Sequence, residues 1–132
     1  MGTTPDRKTI CIIEDDEFLR DLYVELLTGE GYTVISAEDG EEGLRLLETQ
    51  HFNLVLLDIM LPKIDGLDIL RRLREKRQGK LPSQVVLLTN LGQETIVEEG
   101  FSLGITGYLI KSELNPDQVV KKVEEFLAAE NM

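Results

Sequence analysis

The chain has 132 residues, which suffices for one globular domain with a buried core and leaves no room for a second catalytic domain. Its net charge of −11 at pH 7 repels nucleic acid and anionic lipid, so we expect neither a nucleic-acid partner nor a membrane. With Cys11 as the only cysteine there is no intramolecular disulfide, and neither a signal peptide nor a bilayer span is predicted. We therefore expect a cytoplasmic protein.

Five short runs rich in Ile, Val and Leu recur along the chain. Most are continuously apolar, which is typical of parallel strands that helices cover on both faces. The runs are Thr9–Ile13, Thr33–Ser36, Asn53–Leu57, Gln84–Leu88 and Gly107–Ile110. After each run, apolar residues recur with helical spacing. The pattern predicts an α/β fold: one doubly wound sheet of five parallel strands with five helices, as in flavodoxin-like proteins.

Residues with capping chemistry stand at the expected helix boundaries. Asp16 precedes the first helix and Gly31 follows it, while Asp65 precedes the third helix. Asn115 and Pro116 suit the cap and first position of the fifth. We expect the domain to cover residues 9–129, after an N-terminal extension at 1–8 and without an output domain.

The fourth helix is the least regular of the five. Its first turn carries β-branched residues, and Gly100 and Gly104 are expected to interrupt it. This helix is therefore the one we expect to be most mobile.

Acidic residues follow two of the predicted strands. Glu14 and Asp15 come after the first strand and Asp58 after the third. Because the carboxyl ends of parallel strands share one edge of a sheet, these carboxylates should meet and require a cation. Mg²⁺ binds a few carboxylates and keeps several waters, which leaves room for a phosphate. Glu14 and Asp15 alone would equally suit a helix N-terminus, and Asp58 favours the metal site.

The same edge carries groups suited to phosphoryl chemistry. Asp58 stands at the end of the most apolar run, where a charged residue is unusual. A carboxylate at this place can attack phosphorus to give an acyl phosphate. Thr89 and Lys111 follow the fourth and fifth strands, and they offer a hydroxyl and an ammonium for phosphoryl oxygens. Neither Thr89 nor Lys111 alone indicates phosphoryl chemistry, but their occurrence together on this edge of the sheet does.

Four segments together resemble the receiver domains of two-component response regulators. Ile12–Asp16 is similar to the acidic pair after the first strand of that family, and Leu57–Gly66 to its phosphoacceptor strand and Pro/Gly loop. Leu88–Thr89 and Gly107–Lys111 are similar to the remaining motifs. The resemblance extends over Lys8 to about Leu127.

The resemblance implies a reaction and a cofactor. Asp58 would accept a phosphoryl group from a phosphohistidine on a sensor histidine kinase or a phosphotransfer protein. Asp15, Asp58 and the backbone carbonyl of Met60 would bind Mg²⁺ directly, and Glu14 would act through water. The protein would be a signalling phosphoacceptor, not an enzyme acting on a separate substrate.

The resemblance also implies a switch. Thr89 and Lys111 would hold the phosphoryl oxygens, and Tyr108 would turn inward as Thr89 moves toward them. A downstream protein target would read the result on the surface of the fourth helix, fifth strand and fifth helix.

Some positions differ from the usual pattern of the family. Ser112 stands where a cis proline usually follows the lysine, and Asn90 stands where Ala or Gly usually follows the threonine. The Asn90 amide either crowds the pocket or bonds the phosphoryl group. Met60 and Leu91 are apolar where a polar side chain could position an attacking water, so we expect slow loss of the phosphoryl group.

Three other functions compete with this interpretation. An FMN binder shares the architecture, but the acidic run Glu14–Glu17 would repel its phosphate. A phosphohydrolase with an aspartyl nucleophile needs a second acid two residues after the first, where this chain has Met60. A receiver-fold interaction module acting independently of phosphorylation is the remaining alternative.

Overall fold

The computed structural model describes residues 7–81 and 83–130, with only the backbone at residue 130. Residues 1–6 of the predicted N-terminal extension lie outside this described part. The helices and strands alternate throughout. They are β1 (Thr9–Ile13), α1 (Glu17–Gly29), β2 (Thr33–Ala37), α2 (Gly40–Thr49), β3 (Leu54–Asp58), α3 (Gly66–Lys76), β4 (Gln84–Thr89), α4 (Glu94–Ser102), β5 (Gly107–Ile110) and α5 (Pro116–Glu130).

The strands form one parallel sheet in the order β2-β1-β3-β4-β5. This arrangement confirms the predicted doubly wound α/β fold of five strands and five helices, within the residues that the structure describes. Along the chain, no helix in the described ranges is both long and apolar enough to cross a membrane.

The continuous apolar runs reflect a core on each face of the sheet. In the central strand β3, Val55 and Leu57 pack into a cluster with α2 and α3, whereas Leu54 and Leu56 pack into a second cluster with α1 and α5. Every residue of β3 is buried. A strand with both faces covered cannot alternate polar and apolar residues, which explains its sequence.

Three strands, β2, β3 and β4, continue one residue beyond the predicted apolar run, and β2 ends at Ala37. Asp58 and Thr89 are the last residues of β3 and β4, paired in register with Leu88 and Ile110. Asn53, predicted to begin the third strand, lies outside it, and its side chain accepts a hydrogen bond from the Thr9 backbone N–H at 2.7 Å. Pairing between backbones determines where these strands begin and end, and the hydrophobicity of the sequence does not predict that pairing.

The predicted helix caps are confirmed. The side chains of Asp16, Asp65 and Asn115 accept hydrogen bonds from the backbone three residues further on, at 3.1, 2.9 and 2.9 Å. Gly31 follows α1 with a φ of +98°, in the left-handed region that glycine adopts most easily. Asp39 caps α2 in the same way at 2.9 Å, although the sequence analysis did not single it out.

The expected interruption of the fourth helix at Gly100 is wrong. Helix α4 runs through Gly100 and ends at Ser102, before Gly104. Gly100 is buried, and a Cβ there would lie 2.8 Å from the Leu87 side chain and 2.9 Å from that of Ile105. The glycine therefore lets α4 pack closely against Leu87 and Ile105, whose side-chain ends would have to shift to accommodate a Cβ.

Candidate functional site

The carboxyl ends of four strands bring the predicted site residues together. Glu14 directly follows β1, Asp58 ends β3, Thr89 ends β4 and Lys111 directly follows β5. The side chains of Glu14, Asp58 and Thr89 are buried. The site is therefore assembled from segments far apart in the chain.

The Lys111 ammonium lies between two of the carboxylates. Its Nζ donates a hydrogen bond to Asp58 Oδ2 at 2.8 Å and forms an ion pair with Glu14 Oε1 at 2.6 Å. A short 3₁₀ turn, Lys111–Glu113, follows β5, and no peptide bond among the described residues is cis. Lys111 thus reaches the acidic residues without the cis peptide usual in the family.

The second oxygen of each carboxylate is fixed by the backbone. Asp58 Oδ1 accepts a hydrogen bond from the Met60 N–H at 3.3 Å, and Glu14 Oε2 accepts one from the Asp16 N–H at 3.0 Å. Arg20, which the sequence analysis missed, donates to the Glu14 carbonyl at 2.9 Å. Its position on the helix after the acidic pair was the only signal in the sequence that could have suggested this role.

The electrostatics of the site favour a cation. The pKa of Glu14 is raised to about 7, chiefly by burial and in smaller part by the charge of Asp58, against the lowering effect of Lys111 and the Asp16 N–H. For Lys111, burial lowers the pKa, but its contacts with Asp58 and Glu14 outweigh burial and the pKa is raised. One ammonium contacts two of the three clustered carboxylates, so negative charge remains to be neutralised.

Glu14, Asp15 and Asp58 form an acidic cluster that fits a metal ion. Each offers a carboxylate oxygen, and these oxygens lie within 4.8 Å of one another. Asp15 is exposed, so the cluster is open to solvent on one side. Hard oxygen donors on an open site match the preference of Mg²⁺ for a few carboxylates together with retained waters.

Tyr108 lies with its ring facing outward. The side chain is 43% exposed, and its ring contacts the edge of Phe101 at a centroid distance of 6.2 Å and an interplanar angle of 86°. Tyr108, Phe101 and Thr89 line one groove of about 320 Å³ between α4 and β5. The contact with Phe101 was not anticipated from the sequence.

The remaining predicted positions lie at the surface around the site. The side chains of Met60 and Leu91 are 63% and 64% exposed, and Asn90 and Ser112 are also exposed. The Asn90 backbone N–H donates to the Gln93 side chain at 2.6 Å.

Comparisons with known proteins point to one family. A family model described as the response regulator receiver domain matches residues 10–124. The alkaline phosphatase synthesis transcriptional regulatory protein PhoP of Bacillus subtilis is 37% identical over 120 residues, which are 91% of this chain and 48% of PhoP. The transcriptional regulatory protein SrrA of Staphylococcus aureus is 33% identical over 89% of this chain and 47% of its own.

Solved structures agree with the sequence relatives. A receiver domain protein, described as CheY-like, from Methanospirillum hungatei has a TM-score of 0.83 and 29% identity, over 96% of this chain and 98% of its own. The response regulator DrrB of Thermotoga maritima, an OmpR/PhoB homolog, has a TM-score of 0.78 and 30% identity, over 95% of this chain and 54% of its own.

The chain spans about half the length of the curated relatives that it matches. PhoP and SrrA are named as transcriptional regulators. The predicted absence of a nucleic-acid partner is therefore not supported by the comparisons. The net charge on which it was based describes this chain and not a longer regulator.

Glu14→Gln should stabilise the protein at alkaline pH when divalent cations are absent. The folded protein holds the Glu14 proton up to a pKa of about 7, whereas the unfolded chain releases it near 4.5. The free energy of unfolding of the wild type should therefore fall as the pH rises through this interval. The variant lacks that loss, and we expect it to be more stable at pH 8 by on the order of 1 kcal/mol.

Urea unfolding at pH 5 and pH 8 with a chelator measures this difference. Glu17→Gln is the matched control, because it also removes one acidic charge near the start of α1 but from an exposed position. If Glu14→Gln loses as much stability between the two pH values as the wild type does, burial of Glu14 does not govern the pH dependence.

Proposed function

Because the chain belongs to the response regulator receiver domain family, we propose that it is a Mg²⁺-dependent phosphoacceptor in which Asp58 takes a phosphoryl group from a sensor histidine kinase or a phosphotransfer protein. One observation carries the proposal: Lys111 Nζ lies 2.8 Å from Asp58 Oδ2, inside a cluster of three carboxylates. A buried nucleophile, a metal-binding set and a cation for phosphoryl oxygens are thus adjacent.

The reaction transfers phosphorus from nitrogen to oxygen. A carboxylate oxygen of Asp58 attacks the phosphorus of the phosphohistidine, and the P–N bond breaks with its electron pair on the histidine nitrogen. Lys111 moves from Asp58 Oδ2 to the incoming phosphoryl oxygens and offsets their charge. The only histidine of the chain, His51, precedes β3 at the opposite edge of the sheet, so the donor is another molecule.

Receiver domains bind Mg²⁺ at an acidic pocket, and the donor set fits the ion here. Asp15, Asp58 and the Met60 carbonyl would hold it directly, with Glu14 acting through water. Bound there, the ion would reduce the repulsion between the Asp58 carboxylate and the phosphoryl oxygens. The chain's own residues supply the nucleophile and its orientation.

Phosphorylation would be read through Thr89 and Tyr108. The Thr89 hydroxyl would donate to a phosphoryl oxygen, and Tyr108 would leave the Phe101 edge for the groove that it shares with Thr89. The altered surface of α4, β5 and α5 would bind a downstream protein target. A cytoplasmic location is part of this proposal.

Asp58→Asn should abolish phosphorylation. Intact-mass analysis after incubation with Mg²⁺ and acetyl phosphate should show one added phosphoryl group on the wild type and none on the variant, because the amide is not nucleophilic. Asp68→Asn, a matched control on α3, should be modified like the wild type. Modification of Asp58→Asn, or an unmodified wild type, would contradict the proposal.

The acyl phosphate should be long-lived. Met60 and Leu91 are exposed and apolar at the two positions from which a side chain could position an attacking water. The double substitution Met60→Asn/Leu91→Glu should therefore shorten the half-life of the acyl phosphate, measured by intact mass over time. Met60→Leu/Leu91→Met keeps both positions apolar and should preserve it. An unchanged or longer half-life in the polar variant would contradict the prediction that apolar residues at these two positions slow the loss of the phosphoryl group.

Tyr108 should become less accessible when the site is loaded. Beryllofluoride with Mg²⁺ occupies the place of the phosphoryl group, so the 19F spectrum of fluorotyrosine-labelled protein should show reduced solvent exposure at Tyr108. The resonance is assigned with Tyr108→Phe. In Thr89→Ala the change should be lost, because no hydroxyl links the two residues. A Tyr108 signal that beryllofluoride leaves unchanged in the wild type would refute the switch.

A further inference from the structure

The loop between β3 and α3, residues 59–65, is held against the first turn of α2. The Gly40 backbone N–H donates to the Pro62 carbonyl at 3.1 Å. Lys63 Nζ forms an ion pair with Asp39 Oδ2 at 3.3 Å. We call this region, Asp39 and Gly40 with Pro62 to Ile64, the loop clamp.

Because Gly40 has no side chain, the loop approaches α2 more closely than it could with any other residue at this position. A Cβ at this position would lie 1.6 Å from the Ile64 carbonyl oxygen, and backbone atoms cannot move aside as a side chain can. Gly40 is buried. The loop therefore occupies its place only because residue 40 has no side chain.

Lys63 has an unusual backbone conformation. Its φ is +70°, in the left-handed region that residues with a Cβ rarely adopt. The Lys63 side chain is 58% exposed, so burial does not hold this conformation. A hydrogen bond from the Ile64 N–H to the Pro62 carbonyl at 2.8 Å closes a tight turn around Lys63, and the contacts with Asp39 and Gly40 fix this turn against α2. Local strain of this kind often accompanies a functional constraint.

The same loop carries the groups that would contact the metal. It begins directly after Asp58, and the Met60 N–H donates to Asp58 Oδ1. At its other end, the Gly66 N–H donates to the Ile59 carbonyl at 2.8 Å, and a Cβ on Gly66 would lie 2.6 Å from the Asp58 carbonyl oxygen. The loop is thus fixed at both ends and, through the clamp, in the middle.

We propose that Asp39, Gly40 and Lys63 are positioning residues for the magnesium site, because the first turn of α2 fixes the loop that carries Met60, whose N–H bonds the Asp58 side chain. The inference rests on the proposed function, and it assigns a role to residues that contact neither the metal nor the phosphoryl group. Groups that orient metal ligands from outside commonly change metal affinity by roughly 10–100-fold when they are removed.

Asp39 has two separable tasks. Its Oδ1 accepts the capping hydrogen bond from the Glu42 N–H, whereas its Oδ2 pairs with Lys63. Asparagine caps helices about as well as aspartate does but carries no charge. Asp39→Asn therefore removes the ion pair and preserves the start of α2.

The test is the Mg²⁺ dissociation constant, measured by titration calorimetry on the full chain. We expect Gly40→Ala to weaken binding roughly tenfold, and Asp39→Asn and Lys63→Met to weaken it by smaller and equal factors. The double variant Asp39→Asn/Lys63→Met should match either single variant, because both remove one ion pair. Gly100→Ala, whose Cβ meets the side chains of Leu87 and Ile105, is the control for a packing defect and should bind as the wild type does.

A second readout needs no metal. With a chelator present, amide hydrogen exchange at Gly40 and Ile64 should be faster in Asp39→Asn than in the wild type and unchanged in Gly100→Ala. If Gly40→Ala does not fold, the two ion-pair variants decide the matter, since neither disturbs the core.

The outcomes separate the two proposals. A wild type that neither binds Mg²⁺ nor accepts a phosphoryl group overturns the proposed function. A wild type that does both, with clamp variants that bind Mg²⁺ as tightly, overturns the positioning role alone. If Mg²⁺ binding is weakened equally in Gly100→Ala and in the clamp variants, the cause is general destabilisation. That result would also overturn the positioning role.

Discussion

The ammonium of Lys111, shared between Glu14 and Asp58, is the interaction on which the site depends. It lies between two buried carboxylates at the carboxyl edge of the sheet and neutralises only part of their charge. Burying carboxylates without compensation is costly, so the arrangement is tolerable only while a cation or a proton is nearby. The raised pKa of Glu14 reflects the same conflict. The fold thus leaves an excess of negative charge at this edge, which a hard cation would neutralise.

Much of this architecture is readable from the sequence, for physical reasons. A strand covered on both faces must be apolar along its whole length, as β3 is, so its position is evident without a structure. Parallel strands then place Glu14, Asp58 and Lys111 on one edge whatever the details of packing. Caps such as Asp65 and Asn115 are equally local, because each bonds a backbone N–H only three residues away.

What the sequence does not reveal depends on contacts between distant segments. Gly100 suggests a helix break until the side chains of Leu87 and Ile105 are seen against it. Arg20 gives no indication that its guanidinium bonds the carbonyl of Glu14. Gly40 looks like a residue of a helix start, and only the position of the Ile64 carbonyl explains it. In each case the partner lies on another element, and no local pattern encodes the distance.

The order of the strands has a consequence for when the site can exist. Its residues come from the ends of β1, β3, β4 and β5. Glu14 and Asp58 meet on the adjacent strands β1 and β3, whereas Lys111 joins them only when β5 is in place beyond β4. A chain still being synthesised, or one whose last strand has opened, holds Asp58 without Lys111. In such a chain the two buried carboxylates lack the ammonium that offsets part of their charge. The charge balance of the site is therefore a property of the complete sheet, and local opening of β5 would suffice to disturb it.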